Sequence, residues 1–218
     1  MGEIKVRPWI GENYKTPSIF PYRTLILGES NYTDNPEQFN ANIVINCVND
    51  DLTGQDTQGF GKFATKVRNV IFQKRDPVDR ETFWKNVAFY NFVQFLVGNK
   101  AGVRPTEEMW KDSIPAFKEL ILELEPERVL VLGAENWENL TTHISPYKTH
   151  CKFPNHIAAF MINNHAFIAG YIDHPSSVGF TYSHWTAIIN ELLFTAQNIE
   201  TDFQPIVDSK QDDSDKSE

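Results

Sequence analysis

Along the chain, short apolar runs ending in polar or turn residues alternate with stretches whose apolar positions recur every three or four residues. Residues 23–27, 87–95, 128–132 and 166–172 are apolar runs of strand length, as expected of strands buried on both faces. Residues 157–162 form another, joined to the last by the turn Asn163-Asn164-His165. Between these runs Phe63, Val67, Val70 and Ile71 fall on one helical face, and Trp110, Ile114, Phe117, Leu120, Ile121 and Leu124 keep a helical period. Pro115 interrupts the second pattern and calls for a break, or for a helix start near Ser113. Shorter helices are expected over residues 80–84 and 134–142. A last helix follows Thr181 as its cap, with Tyr182, Trp185, Ile188, Ile189, Leu192 and Leu193 on its apolar face. Ile43-Val44-Ile45 reads as a short strand.

The same pattern divides the chain. Residues 1–22 are rich in aromatic and turn residues without a sustained period, so an irregular arm is expected there. Residues 23–197 form a single α/β domain, and residues 198–218 turn polar and charged, the composition of a disordered tail.

Composition narrows the class. At 218 residues and 41% hydrophobic content the chain is long enough for one sizeable core. It has no apolar run of membrane-spanning length, and residues 1–15 lack the basic start and apolar middle of a signal peptide. A soluble cytoplasmic protein, monomeric and without a membrane partner, is the expectation. Cys47 and Cys151 are too few for a disulfide scaffold or a four-cysteine iron–sulfur cluster, and two unpaired thiols are expected. His143, His150, His156 and His165 lack metal-ligand spacing, and surface or loop roles are expected for all four.

A net charge of −9 argues against indiscriminate affinity for nucleic acid, because Lys and Arg contacts to phosphate supply most non-specific binding. Charge is unevenly spread, however. Residues 208–218 hold five acids and two lysines, whereas residues 62–85 hold seven Lys and Arg against three acids. That segment is either a basic face able to steer a duplex or a solvated helix face.

Three strand ends carry the candidate chemistry. His174-Pro175-Ser176-Ser177 follows the last strand, Gly28-Glu29-Ser30-Asn31-Tyr32 follows the first, and Asn91 stands inside Phe89-Tyr90-Asn91-Phe92-Val93. In a doubly wound sheet the loops after such strands lie at the carboxyl edge, where ligands bind. Glu29 is there a candidate for positioning or activating a water, or else an exposed loop carboxylate. Asn91 is an amide within an apolar strand and must find partners for its oxygen and its amino group. A pyrimidine edge, a donor beside an acceptor, matches that pair. Asn86 is the alternative, and a structural bridge is the plainer role for either.

Taken in this order, the three motifs resemble those of the uracil-DNA glycosylase superfamily, over about residues 23–185: a Gly-led loop after the first strand, a pocket asparagine on a middle strand, and a His-Pro-Ser turn near the C-terminus. The resemblance implies an α/β three-layer sandwich about a central, mostly parallel sheet, DNA as partner, and no cofactor or metal. It also implies a monofunctional glycosylase that hydrolyses the N-glycosidic bond of uracil or another altered base.

The resemblance assigns roles residue by residue. Asn91 reads the flipped base. Phe63 stacks on that base, or is the first core residue of its helix, with Phe60 as substitute. His174 stabilises charge on the leaving base, and Ser176 and Ser177 grip flanking phosphates. Val178 stands where uracil-specific relatives place a leucine that fills the vacated stack; Phe180 is the larger wedge, and packing beneath the last helix is the plain reading of both.

The loop departs from its apparent relatives. The uracil-specific branch reads Gly-Gln-Asp-Pro-Tyr, so Ser30 occupies the place of the acid while Tyr32, which closes the pocket, is kept. The iron–sulfur branch begins Gly-Glu, as here, but continues Ala-Pro-Gly. Carboxylate catalysis therefore falls to Glu29, or to Asp34 a turn further on, and the substrate need not be uracil; a base modification of the kind found in phage genomes would point to defence rather than repair. Two other classes stand beside this one. A catalytically silent member of the fold would bind DNA or a modified base. An unrelated hydrolase would use Ser176 with His174, but these lie too close in sequence for the usual nucleophile–base geometry, and no Gly-x-Ser-x-Gly elbow is present.

Overall fold

Every residue of Thr24–Gly28 and of Arg128–Leu132 is buried, so these two strands need cover on both faces. The computed structural model, which describes residues 4–55, 59–74, 78–100 and 102–206, supplies it. Its strands are β1 (Trp9–Ile10), β2 (Thr24–Gly28), β3 (Asn31–Tyr32), β4 (Val87–Asn91), β5 (Leu96–Gly98), β6 (Arg128–Leu132), β7 (Lys148–His150), β8 (Ile157–Ile162), β9 (His165–Ile172) and β10 (Phe203–Pro205). Its α-helices are α1 (Ile43–Thr53), α2 (Phe60–Phe72), α3 (Arg80–Lys85), α4 (Glu107–Leu124), α5 (Ala134–His143) and α6 (Thr186–Ile189). A 3-10 turn, Tyr182–Trp185, leads into α6, and a π-helical turn, Asn190–Phe194, leads out of it.

Eight strands form one sheet in the order β1-β4-β2-β6-β9-β8-β7-β10, and β3 pairs with β5 apart from it. The four central strands β4, β2, β6 and β9 are parallel. The flanks are antiparallel: β8 returns on β9 through the tight turn at Asn163, whose φ is 53°, and β7, β10 and β1 continue in that sense. The sheet is thus parallel at its centre and mixed overall.

Alternate strand residues face opposite layers. Ile26, Phe89, Leu130 and Ile172 pack with α1, α2, α3 and the helical run around α6. Leu25, Leu27, Tyr90, Val131 and Ala169 pack with α4 and α5. The molecule is therefore α/β, with helices on both faces of the sheet.

Several expectations change. Ile43-Val44-Ile45 opens α1 rather than forming a strand, because Ile43, Val44 and Val48 pack as a helical face on the core. Pro115 lies inside a continuous α4 whose N-cap is Thr106, its Oγ1 accepting from the Met109 N–H; the helix starts a turn and a half before Ser113. Thr181 occupies the position before the last helical run but makes no capping bond. The N-terminal arm is partly regular, since Trp9–Ile10 pairs with β4 and Val6, Tyr14 and Phe20 are buried. The tail is not disordered over its first part: Phe203 is buried and β10 pairs with β7. Its remainder, 207–218, lies outside the described residues, as do Arg75, Asp76 and Pro77. No helix among the described residues is long and apolar enough to cross a membrane.

Candidate functional site

Because β4, β2, β6 and β9 are parallel, they end on one edge. Asn91 closes β4 beside Gly28 of β2, the two being register partners. Leu132 closes β6, and Ile172 closes β9 two residues before His174. From β2 the chain passes to β4 on one side and then to β6 on the other. Such a reversal opens a crevice at the carboxyl ends of the strands. From β4 to β9 the edge spans about 14 Å, three strand spacings.

At the β2–β4 end the absent side chain of Gly28 is what admits Asn91. A Cβ on Gly28 would lie 2.1 Å from Asn91 Oδ1 and 3.3 Å from Phe89 Cζ. Asn91 Nδ2 donates to Asn31 Oδ1 at 2.9 Å. Asn31 is itself 6% exposed, and its buried Nδ2 has no hydrogen-bond partner among the described residues. The backbone here is pinned: Phe92 N–H donates to Gly28 O and Val93 N–H to Glu29 O, while Gln94 Nε2 donates to Asn91 O. Asn136 of α5 donates from Nδ2 to Gly28 O at 3.0 Å. Asn86 by contrast is spent on structure, accepting from Ser18 N–H and Oγ–H and donating to Thr82 O.

At the β9 end the His-Pro-Ser turn folds back on its histidine. Ser177 N–H donates to His174 O at 2.8 Å, and Ser176 N–H donates to His174 Nδ1 at 3.2 Å. An Nδ1 that accepts leaves the proton of the neutral ring on Nε2. Burial holds the His174 pKa below the usual histidine value, and the nearby charges of Arg104 and Lys66 push the same way. The Phe63 ring, on the first turn of α2, lies nearly parallel to the imidazole, with centroids 5.3 Å apart. Phe60 stacks instead on the buried Trp84 and belongs to the core.

Glu29 lies between these ends, with a side chain 13% exposed. Arg104, from the loop after β5, donates to its Oε2 at 2.5 Å and also to Glu135 in the first turn of α5. Burial raises the Glu29 pKa and Arg104 opposes the rise, while Glu135 adds to it. Ser30 Oγ is 3.4 Å from Glu29 Oε1. Arg104 thus binds one carboxylate of the site and bears electrostatically on its imidazole, linking the two ends.

The other predicted residues lie toward the surface. Tyr32 is 43% exposed, and its partial burial raises the pKa of its hydroxyl. Asp34 is exposed. Ser176 and Ser177 are exposed, Val178 is fully exposed, and Phe180 is half-buried edge-on to Tyr182. It is the Ser176 N–H and not its hydroxyl that meets the imidazole, which is not a nucleophile–base pair. A cavity of about 450 Å³ beside this turn is lined by Asp173, Ser177, Phe180, His184 and Trp185, and Glu29, Asn91 and His174 lie outside its lining.

Among its described residues the basic segment does not form one face. Arg68 is buried on Asp51, Arg80 reaches the same carboxylate, and Lys85 pairs with Glu12 and Glu81. Lys62 and Lys66 remain on α2 on either side of Phe63, and Lys66 bears on His174. Among the four histidines, His150 departs from the expected surface role: it is 3% exposed, with Nε2 3.3 Å from Glu191. Sequence reasoning missed Asn31, Arg104, Glu135 and Asn136. Asn31 lies in the same loop as Glu29 and Ser30; nothing in the sequence marks the other three. Among the described residues no group of three or more His, Cys, Asp or Glu could hold a metal ion. No protein-family model matches the chain, and no curated protein shows significant similarity to it.

Proposed function

We propose that the protein is a monofunctional DNA glycosylase, hydrolysing the N-glycosidic bond of uracil or another altered base turned out of DNA. What supports the reading is that Glu29, Asn91 and His174, remote in sequence, stand at the carboxyl edge of one parallel sheet, with Arg104 bound to the first and electrostatically coupled to the last. Under it the α/β sandwich is of the uracil-DNA glycosylase type.

The chemistry follows from the groups. The C–N bond to the sugar breaks with its electron pair passing to the base, which departs as an anion, and water adds to the sugar carbon. Asn91 holds the base edge. Glu29, whose ionised form Arg104 favours against the effect of burial, orients the water and takes its proton. His174 donates from Nε2 to the carbonyl where charge gathers, the oxyanion-hole principle applied to a nucleobase; such a donor is worth about 3 kcal/mol, or roughly 10²-fold in rate. Its depressed pKa suits a neutral donor that keeps its proton. Lys66, whose charge bears on His174, draws phosphate to this edge of an acidic protein rather than to the whole surface.

Duplexes bearing uracil, hypoxanthine, hydroxymethylcytosine or glucosylated cytosine, incubated with the protein and then treated with alkali, test the reading. Strand breaks at one of these bases are expected, and an absence of breaks on all four beside an active control enzyme overturns it. One observation favours a silent binder: Arg104 already occupies Glu29 together with Glu135. His174→Ala separates the two, since it lowers turnover about 10²-fold but spares binding in a glycosylase, whereas in a silent binder the wild type has no turnover to lose.

A further inference from the structure

The Asn31–Asn91 amide pair has a free end. Asn91 Nδ2 and Asn31 Oδ1 satisfy one another at 2.9 Å. That leaves a donor, Asn31 Nδ2, which is buried and has no partner among the described residues, beside an acceptor, Asn91 Oδ1, on the strand end that flanks Gly28. A buried donor without a partner is costly, and native structures hold few of them. The surroundings do not relax it away. Asn31 is 94% buried and held in β3 against Leu96 of β5, and Asn91 is fixed by the register of β4 with β2.

Resting on the glycosylase reading, we infer that Asn31 is a second base-reading residue: its Nδ2 donates to the extruded base while Asn91 Oδ1 accepts from it. The ligand class is then a nucleobase with a hydrogen-bond acceptor next to an N–H donor on one edge. Two chemistries share that edge, a carbonyl beside a ring N–H, as in uracil and hypoxanthine, and a ring nitrogen beside an amino group, as in cytosine and adenine. Without Asn31 the site would offer one amide, whose oxygen and nitrogen a base of either polarity can meet by rotation of the amide. With it the donor and acceptor come from different strands, and reversing their polarity requires both amides to turn together.

Asn31→Asp is the discriminating variant, because it keeps an acceptor for Asn91 Nδ2 and replaces the free amino group with oxygen. Binding is measured by fluorescence anisotropy on the full chain, using duplexes in which uracil, hypoxanthine, cytosine or adenine is carried on a 2′-fluorinated sugar that resists hydrolysis, and a duplex with an abasic analogue. Wild type is expected to bind one base class more tightly than the abasic duplex. Asn31→Asp should lose about 10- to 100-fold on that class with the abasic duplex unchanged. A wild type that prefers a base and an Asn31→Asp that prefers it equally overturn the inference and leave the glycosylase reading standing. A wild type that treats all five duplexes alike overturns both. Should Asn31→Asp fail to fold, Asn31→Ser, which also lacks the amino group, is expected to give the same selective loss, and an unchanged preference there overturns the inference.

Discussion

The Phe63 ring lies 16° from parallel to the imidazole of His174, centroids 5.3 Å apart, so an aromatic expected to stack on a base is stacked on the catalytic candidate. With Ser176 N–H on Nδ1 fixing the tautomer, the stack fixes the plane, and together they aim Nε2. A stacked pair contributes about 0.5–1.5 kcal/mol beyond its buried area, up to roughly tenfold in rate if all of it serves orientation. His174→Ala should lower the single-turnover rate about 10²-fold, and Phe63→Leu about tenfold with melting temperature little changed. A Phe63→Leu variant as fast as wild type would show that the imidazole needs no such support.

Arg104 makes the pH dependence of the site readable. Activity needs Glu29 ionised and His174 neutral. Glu29 is raised by burial against the pull of Arg104, and His174 is lowered by burial with the push of Arg104. Removing the guanidinium lets Glu29 rise further and lets His174 climb back toward its usual value. Both changes protonate the site earlier as pH falls, so the acid limb of kcat/KM for Arg104→Met should move to higher pH. The stability sign agrees for His174: a depressed pKa contributes stability above the usual histidine range that is lost as pH falls through the folded value. A profile of kcat/KM between about pH 4.5 and 8 checks this. A lowered plateau with an unmoved limb would mean that Arg104 only braces its loop.

Gly28→Ala tests the other end. Its φ is not positive, so backbone strain is not at issue; the constraint is the 2.1 Å approach of Asn91 Oδ1 to the new methyl. Asn91 must swing off the strand end, breaking its bond to Asn31. Overpacking of this kind costs typically 1–3 kcal/mol of stability, which leaves a folded protein. Base binding should fall more than tenfold while the melting temperature drops by a few degrees. Equal losses of folding and binding would count against a role for the Asn91 position in recognition.

The parallel core was legible in the sequence because its strands are buried on both faces and read as unbroken apolar runs, and α2 and α4 because their stripes keep the helical period. Where strength of pattern and packing disagreed, packing decided. Ile43-Val44-Ile45 has β-branched residues in a row and still opens a helix, since propensity differences of a few tenths of a kcal/mol per residue yield to burial of Val44 and Val48. Pro115 is tolerated in α4 although its ring removes one backbone bond; the carbonyl left over belongs to exposed Lys111. β10 was hidden because three residues on a sheet edge, with Phe203 alone buried, give no period. In the site, Asn91 and His174 were legible as polar residues ending apolar runs. Arg104 was not, because the path of a loop across the sheet edge depends on tertiary contacts that no local pattern records.

The frame that presents Phe63 rests on a buried carboxylate. Asp51 of α1 is fully buried; its Oδ2 accepts from Trp84 Nε1 of α3 at 2.8 Å and from Arg68 Nη1 of α2 at 3.4 Å, and Arg80 of α3 donates to its backbone oxygen at 2.8 Å. Three helices thus share one negative charge. Removing one member of a buried pair typically costs about 3–5 kcal/mol, because the remaining charge stays desolvated, and that is a large part of the roughly 5–15 kcal/mol that holds a domain folded. Asp51→Ala should lower the urea midpoint accordingly, with Asp51→Asn less severe because an amide still meets Trp84. Combining Asp51→Ala with Arg68→Met should recover part of the loss, the non-additivity expected of partners in contact. Strict additivity in the double variant would mean that the carboxylate serves Trp84 and Arg80, and that α2 is held by its apolar stripe alone.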